Sequence, residues 1–512
     1  MNCIIGVDIG TTSTKTIAFD LGGQVIAKAD AKYPILYPEP TYCEQDPEEI
    51  LRAVVSTLRR VTDELKKGSH SPLGVSFSGA MHSLIAMDEQ GKPLTNSIIW
   101  ADTRSKEYAT RIKHSPEGHT IYLRTGTPIH PMTPLCKLAW LRDHSPDVFR
   151  RAHKFISIKE YVFRKLFNQY VVDYSIASAT GLFDIRHLRW CEPALAAAGI
   201  TAERLSELVP PTHVVSDLAD GLAEALGLED RIPFVVGASD GCLAQLSANA
   251  IRPGRASLTI GTSGAVRVAA SVPAQDAHER VFSYVLTEGT YVVGGPINSG
   301  GVVFRWFRDQ FAAPETEEAA RTGTDPYDLL IQKATVVPAG ADGLIFLPYL
   351  LGERAPIWDA DARGVFFGVS IGHTRAHFIR ALMEGIVFGL YSVGLAVEEN
   401  TAKIDVLYAG GGFARSDFWL QIVADVFNKP VRVAESVESS ALGAAAMGLL
   451  ALGVLKEMGQ VEQMLPASRE IAPDAGRHAT YRKNYDLFAS LYGKLKEDFA
   501  KLSELAAPAP RQ

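Results

Sequence analysis

The chain has 512 residues, 47% hydrophobic and 21% charged, with a formal net charge of −7, the balance of an ordinary globular protein. That charge excludes the basic footprint of a nucleic-acid binder and offers nothing to an anionic membrane. At this length one hydrophobic core stops growing, so two domains are expected.

The five cysteines, Cys3, Cys43, Cys136, Cys191 and Cys242, are scattered, with no C-x-x-C pair, which argues against a disulfide framework or a zinc site. The N-terminus runs directly into a strand, without the basic region and apolar core of a signal peptide. No uncharged run approaches the ~20 residues that span a bilayer, so a cytoplasmic location is expected.

In chain order, the first element is a hairpin. The β-branched runs Cys3–Ile9 and Thr14–Asp20 flank the turn Gly10-Thr11-Thr12-Ser13, and a Gly/Thr/Ser turn offers backbone N–H groups and hydroxyls to phosphate. Asp8 would repel that phosphate unless a cation lay between them, so the stretch predicts a Mg-nucleotide site with Asp8 on the metal. A second turn at Gly22-Gly23 continues the sheet through Val25 to Ala29. Asp46-Pro47-Glu48-Glu49 then announces a helix whose buried stripe is Ile50, Leu51, Val54, Val55, Leu58, Val61 and Leu65. Strands follow at 73–77, 84–87 and 98–100, and the alternation with helices indicates an α/β fold. The loops leaving them, Ser78-Gly79-Ala80-Met81-His82-Ser83 and Trp100-Ala101-Asp102-Thr103-Arg104, are candidates for one polyol pocket at the carboxyl ends of strands.

At the midpoint the opening pattern recurs. Thr259-Ile260-Gly261-Thr262-Ser263-Gly264 repeats Asp8-Ile9-Gly10-Thr11-Thr12 in its strand, turn and strand setting, with Thr259 in place of Asp8. A spacing of half a chain suits two similarly folded domains, only the first of which brings a carboxylate to a metal. Just before the repeat, the strand 232–238 ends in Ser239-Asp240-Gly241; Asp240 reads either as a helix cap or as a general base at a domain junction. Later, the strand 404–408 runs into Ala409-Gly410-Gly411-Gly412-Phe413-Ala414-Arg415-Ser416, where bare backbone could receive a flat ring or phosphate near a helix N-terminus. Residues 431–434 form another strand, 440–452 a small-residue helix able to pack closely on a sheet, and 505–512 a disordered tail. No P-loop, no Rossmann G-x-G-x-x-G between strand and helix and no H-E-x-x-H occurs.

Four separated features resemble the FGGY family of carbohydrate kinases, which share the actin/sugar kinase/Hsp70 ATPase fold. They are the Asp8-to-Ser13 phosphate loop; Met132-Thr133-Pro134-Leu135-Cys136-Lys137-Leu138-Ala139-Trp140 through His144; Gly364–Val369 with His377–Glu384; and Gly410-Gly411-Gly412 with Ala414-Arg415-Ser416. The resemblance implies two RNase H-like domains with a central cleft, 1–247 for the sugar and catalytic base and 248–490 for the nucleotide. It implies Asp240 as base, Asp8 as the Mg²⁺-associated carboxylate, Gly261, Thr262 and Ser263 as a second phosphate loop, and Asn298, Gly301, Gly411 and Gly412 on the nucleotide side. Closure of the two domains would exclude water. Tyr349–Arg354 also resembles the family, in a structural or near-substrate role.

Within the family, Gly79–His82, Ile99–Arg104 and Gly126–Met132 are most similar to the members acting on gluconate. Members acting on xylulose tend to have Gln at the position of Ala80 and Asn at that of Ala101. The implied substrate contacts are Met81, His82, Trp100, Asp102, Arg104, His130 and Asp240. A gluconate carboxylate needs cationic or N–H partners, for which His82, Arg104, His130 and Lys137 are possible suppliers. The expected reaction is ATP- and Mg²⁺-dependent phosphorylation of a sugar acid, giving 6-phosphogluconate. The rivals are a kinase for xylulose or another polyol, a non-kinase ATPase or chaperone of the same fold, and a sugar-binding regulator. Partners are then small molecules, with a homodimer left open.

Overall fold

A computed structural model describes residues 1–228, 232–434, 439–465 and 468–506. Of the expected tail, residues 505 and 506 close the last helix, Ala475–Ala506, and 507–512 lie outside the described residues. The chain divides into two compact α/β units. The first comprises Met1–Arg252, Ala269–Val293 and Ser436–Pro466, the second Pro253–Val268, Gly294–Glu435 and Ala467–Gln512. The backbone thus returns to the first unit twice after the midpoint.

The first unit is built on a six-stranded sheet. Strands Asn2–Ile9, Ser13–Asp20 and Val25–Lys32 form an antiparallel meander. Ser71–Gly79 then pairs parallel to Asn2–Ile9, and Phe234–Ser239 parallel to Ser71–Gly79, with Val214–Val215 antiparallel at the edge. The helix Pro47–Lys67 covers one face. Asp46 caps it by accepting from the Glu48 N–H at 2.8 Å, and Ile50, Val54, Leu58, Val61 and Leu65 are buried. Leu51 and Val55, expected in the same stripe, are half-buried at its margin.

Ser439–Ala451, the small-residue helix, packs on strands Asn2–Ile9 and Ser71–Gly79. A Cβ on Gly6 would lie 2.1 Å from the Ala441 carbonyl oxygen, and one on Gly448 2.8 Å from the Ser76 Cβ. Only glycine permits that approach.

The second unit repeats the topology. Arg255–Ile260 and Gly264–Ala270 form an antiparallel hairpin. Val406–Gly410 pairs parallel to Arg255–Ile260, Val431–Ala434 parallel to Val406–Gly410, and Ser468–Ile471 closes antiparallel. The 26-residue helix Arg375–Asn400 is long and apolar enough to cross a membrane by composition, yet 83% of its most apolar window is buried within the structure. It is a core helix, carrying the buried Arg380–Glu384 ion pair at 2.5 Å.

Candidate active site

In the first unit the chemistry collects at the carboxyl edge of the sheet, where parallel strands release their loops. Asp8 stands opposite Ser78, and Ser78 opposite Ala238, so three parallel strands end abreast. The Ser78 hydroxyl donates to Asp8 Oδ1 at 2.7 Å. Two residues past Ala238, Asp240 is the first residue of helix Asp240–Ser247, whose N-cap is Ser239. Asp240 Oδ1 accepts from the Gly241 N–H at 2.7 Å.

The Gly10–Ser13 turn is held from outside. Tyr33 Oη donates to the Gly10 carbonyl at 2.6 Å, Gln45 Nε2 to the Thr11 carbonyl at 2.5 Å, and Trp100 Nε1 to Thr11 Oγ1 at 3.0 Å. The structure therefore brings Trp100, expected at the sugar, onto the turn expected at phosphate. Thr11 and Ser13 are half-buried and Thr12 is exposed.

The other loop residues divide by how they are engaged. His82 adopts φ 67°, Met81 beside it is half-buried, and the His82 Nδ1 pairs with the Ala179 carbonyl at 2.7 Å. His130 Nδ1 accepts from the Met132 N–H at 3.2 Å. Asp102, fully buried, accepts from the Cys43 N–H at 2.7 Å and from Arg104, whose guanidinium also donates to Glu44 at 2.6 Å and lies 3.5 Å over the Tyr42 ring. Burial works against the Arg104 charge, but the hydrogen bonds to Asp102 and Glu44 overcome it and raise the pKa. Lys137 is also buried; its ammonium donates to the carbonyls of His82, Ile98 and Ile99 at 2.6, 3.1 and 2.8 Å, and burial pulls its pKa down to about 7. Two of the four groups considered for a substrate carboxylate, Arg104 and Lys137, are thus committed elsewhere.

Sequence reasoning missed what supports Asp240. Lys159, fully buried, pairs with Asp173 at 2.6 Å and donates to the Ala238 carbonyl at 3.1 Å. Its stem runs past Gly79, where a Cβ would sit 3.0 Å from Lys159 Cδ. Ser175 Oγ accepts from the Ser239 N–H at 3.1 Å and donates to Ser239 Oγ at 2.9 Å. The available signal was local: Ser157 and Glu160 form a capping box one turn around Lys159, and Asp173 caps a short helix by accepting from the Ile176 N–H.

In the second unit, Gly261, Thr262, Gly301 and Gly412 line one cavity of about 410 Å³. The turn is held by backbone. The Gly301 N–H donates to the Gly261 carbonyl at 2.7 Å and the Val302 N–H to the Thr262 carbonyl at 3.0 Å, so helix Gly301–Phe311 begins on the turn. Gly411 adopts φ 98°, and a Cβ there would lie 2.4 Å from the Ile260 carbonyl oxygen; one on Gly412 would meet nothing within 4 Å. Gly412 is therefore an open floor. Arg305, Tyr327 and Trp419 complete the walls, and no motif had marked them. Ser263, Asn298 and Gly411 adjoin the cavity without lining it. The Asn298 N–H donates to the buried Glu353 carboxylate, and its side-chain amide donates to the Leu351 carbonyl at 3.3 Å.

The chain matches known proteins along nearly its whole length. The N-terminal domain of the FGGY family of carbohydrate kinases matches residues 3–247 and the C-terminal domain residues 256–452. A gluconokinase of Bacillus licheniformis is 47% identical over 501 residues, covering 98% of this chain and 97% of that protein, and one of Bacillus subtilis is 45% identical over 502 residues, covering 98% of each. A xylulose kinase of Bacillus subtilis is 29% identical over 501 residues, covering 97% of this chain and 98% of that protein. Among solved structures, a gluconate kinase and a ligand-bound xylulose kinase, both of Lactobacillus acidophilus, each superpose with a TM-score of 0.92 at 35% identity, covering 98% of this chain and 99% and 100% of theirs. The two repeated α/β units and these matches point to one group, and the chain belongs to the FGGY family of carbohydrate kinases.

Proposed function

We propose that the chain transfers the γ-phosphoryl group of ATP to the primary hydroxyl of D-gluconate, giving 6-phosphogluconate. The observation that carries the transfer chemistry is the alignment of Asp8, Ser78 and Ala238 across three parallel strands, with Asp240 just beyond. The choice of gluconate rests on the full-length relatives named above and on Ala80 and Ala101.

Phosphoryl transfer asks little covalent chemistry of a protein, so positioning and charge neutralisation dominate. Asp240 orients the sugar hydroxyl and takes its proton as the new P–O bond forms, while ADP leaves. The Thr11–Ser13 and Gly261–Ser263 turns direct N–H and hydroxyl groups at phosphate oxygens. The cavity over Gly412 takes the nucleoside, with Tyr327 and Trp419 as apolar walls.

A single carboxylate suits Mg²⁺, which keeps water and substrate phosphates as its other ligands. Asp8, oriented by Ser78, fits that donor set. Mg²⁺ held there would neutralise the charge developing between the phosphates. Arg104 and Lys137 are engaged by carboxylates and carbonyls, and His82 and His130 are held through Nδ1 by backbone groups.

A coupled ATPase assay across gluconate, xylulose, ribulose and glycerol tests the reading. Gluconate is expected to give the highest kcat/KM. Preference for xylulose would move the chain to the pentulose branch of the family, and ATP turnover indifferent to every sugar would refute the kinase assignment.

A further inference from the structure

Lys137 lies in one of the four stretches that resemble the family, yet the transfer mechanism gives it no part. Its helix, Pro134–His144, is buried through Leu141, and the ammonium is fully enclosed. An ammonium has three N–H donors and no acceptor. Here three carbonyls receive them: His82 at 2.6 Å, Ile98 at 3.1 Å and Ile99 at 2.8 Å. The match of donors to acceptors leaves no proton for a substrate oxygen.

Those carbonyls belong to two different loops. His82 sits in the loop after strand Ser71–Gly79 and is held at φ 67°, a conformation that a non-glycine residue keeps only under external constraint. Its carbonyl is fixed by Lys137 and its ring by the Ala179 carbonyl. Ile99 immediately precedes Trp100, whose indole N–H reaches Thr11 Oγ1. Among the described residues one isolated β-bridge, Leu84 to Ile98, joins the two segments.

We propose that Lys137 is a positioning residue that sets the spacing between the Met81-His82 loop and the Trp100 loop, so that both sugar-facing segments are presented as one rigid surface. The inference rests on the reading of these loops as the sugar site. It applies to whichever sugar the wild-type enzyme phosphorylates. Lys137→Met keeps the length and apolar stem of the side chain and removes every donor, so the buried His82 carbonyl loses this bond, while the Ile98 and Ile99 carbonyls still accept from the Leu84 N–H at 3.0 Å and the Asp102 N–H at 3.1 Å.

Steady-state kinetics on this variant and on Lys137→Gln test the idea. For Lys137→Met the KM for the sugar is expected to rise about tenfold or more, by the cost of one unsatisfied buried group, with the KM for ATP unchanged and Lys137→Gln intermediate. Equal rises in both KM values, a rise for ATP alone, or no change in the sugar KM would overturn the proposal. Should neither variant fold, hydrogen exchange on the wild-type enzyme decides. Bound sugar should protect residues 80–84 and 98–103 together, and protection of only one stretch or neither would overturn it. A failure of the substrate assignment shows separately, as a wild-type preference for another sugar in the panel.

Discussion

The turns at Gly10 and Gly261 share a sequence pattern and a place in a repeated topology, yet they are held differently. Around Gly10 three side chains, Tyr33, Gln45 and Trp100, reach the turn beside one backbone bond, from the Tyr33 N–H to the Thr12 carbonyl at 3.2 Å. Around Gly261 the restraints are backbone, from the first N–H groups of helix Gly301–Phe311, and the close approach requires glycine at 300, where a Cβ would lie 2.5 Å from the Ser263 carbonyl carbon. The first arrangement surrounds the turn with functional groups and places Asp8 beside it. The second leaves a cavity open above it. The duplicated scaffold thus sets one turn among side chains and the other beside an open cavity by what packs against each.

The sharpest way to break that division is Asp240→Asn. It should lower kcat about a hundredfold or more by removing the proton acceptor, with ATP affinity measured by calorimetry unchanged; near-normal kcat would remove Asp240 from the chemistry. Next in size, Asp8→Ala should cut Mg²⁺-dependent activity by about tenfold or more and shift the Mg²⁺ titration, whereas Thr259→Ala at the equivalent position should leave that titration in place. Equal responses would erase the asymmetry between the turns. Gly411→Ala attacks the nucleotide side alone. At φ 98° with a Cβ 2.4 Å from the Ile260 carbonyl oxygen, it should raise the KM for ATP by about fivefold or more through local strain of about 1–3 kcal/mol, leaving the sugar KM alone. The smallest effect belongs to Trp100→Phe, which keeps the ring and deletes the donor to Thr11. A loss of about 1 kcal/mol, read as a few-fold fall in kcat/KM for the sugar, would tie the two loops energetically, and no change would untie them.

Local patterns carried most of the fold into view. The hairpins, the helix opening at Asp46 and the recurrence at Gly261 are written in short-range alternation and turn chemistry, which neighbouring residues determine. What stayed hidden depends on distant partners. Nothing beside Arg104 in the chain announces that Glu44 will share its guanidinium, and nothing near Lys137 says that three carbonyls await it. Lys159 could be placed on a capped helix but not under Ala238. The cavity walls at Tyr327 and Trp419 come from helices whose sequence signals concern their own caps. Leu51 and Val55 show the same limit: periodicity found the buried face of the helix Pro47–Lys67, while its width was set by the sheet beneath.

The return of residues 439–451 to the first unit bears on how the protein is made. Ile4, Ile17 and Phe19 share a core with Ala441, Ala444, Ala445, Met447 and Leu449, so one face of the first sheet stays uncovered until nearly the whole polypeptide has left the ribosome. At ordinary synthesis rates that interval is on the order of tens of seconds. A fragment ending at residue 247 would keep that apolar face bare, and nascent chains would carry it as a natural target for chaperones. The helix that completes the first unit also sets the moment at which that apolar face stops being exposed.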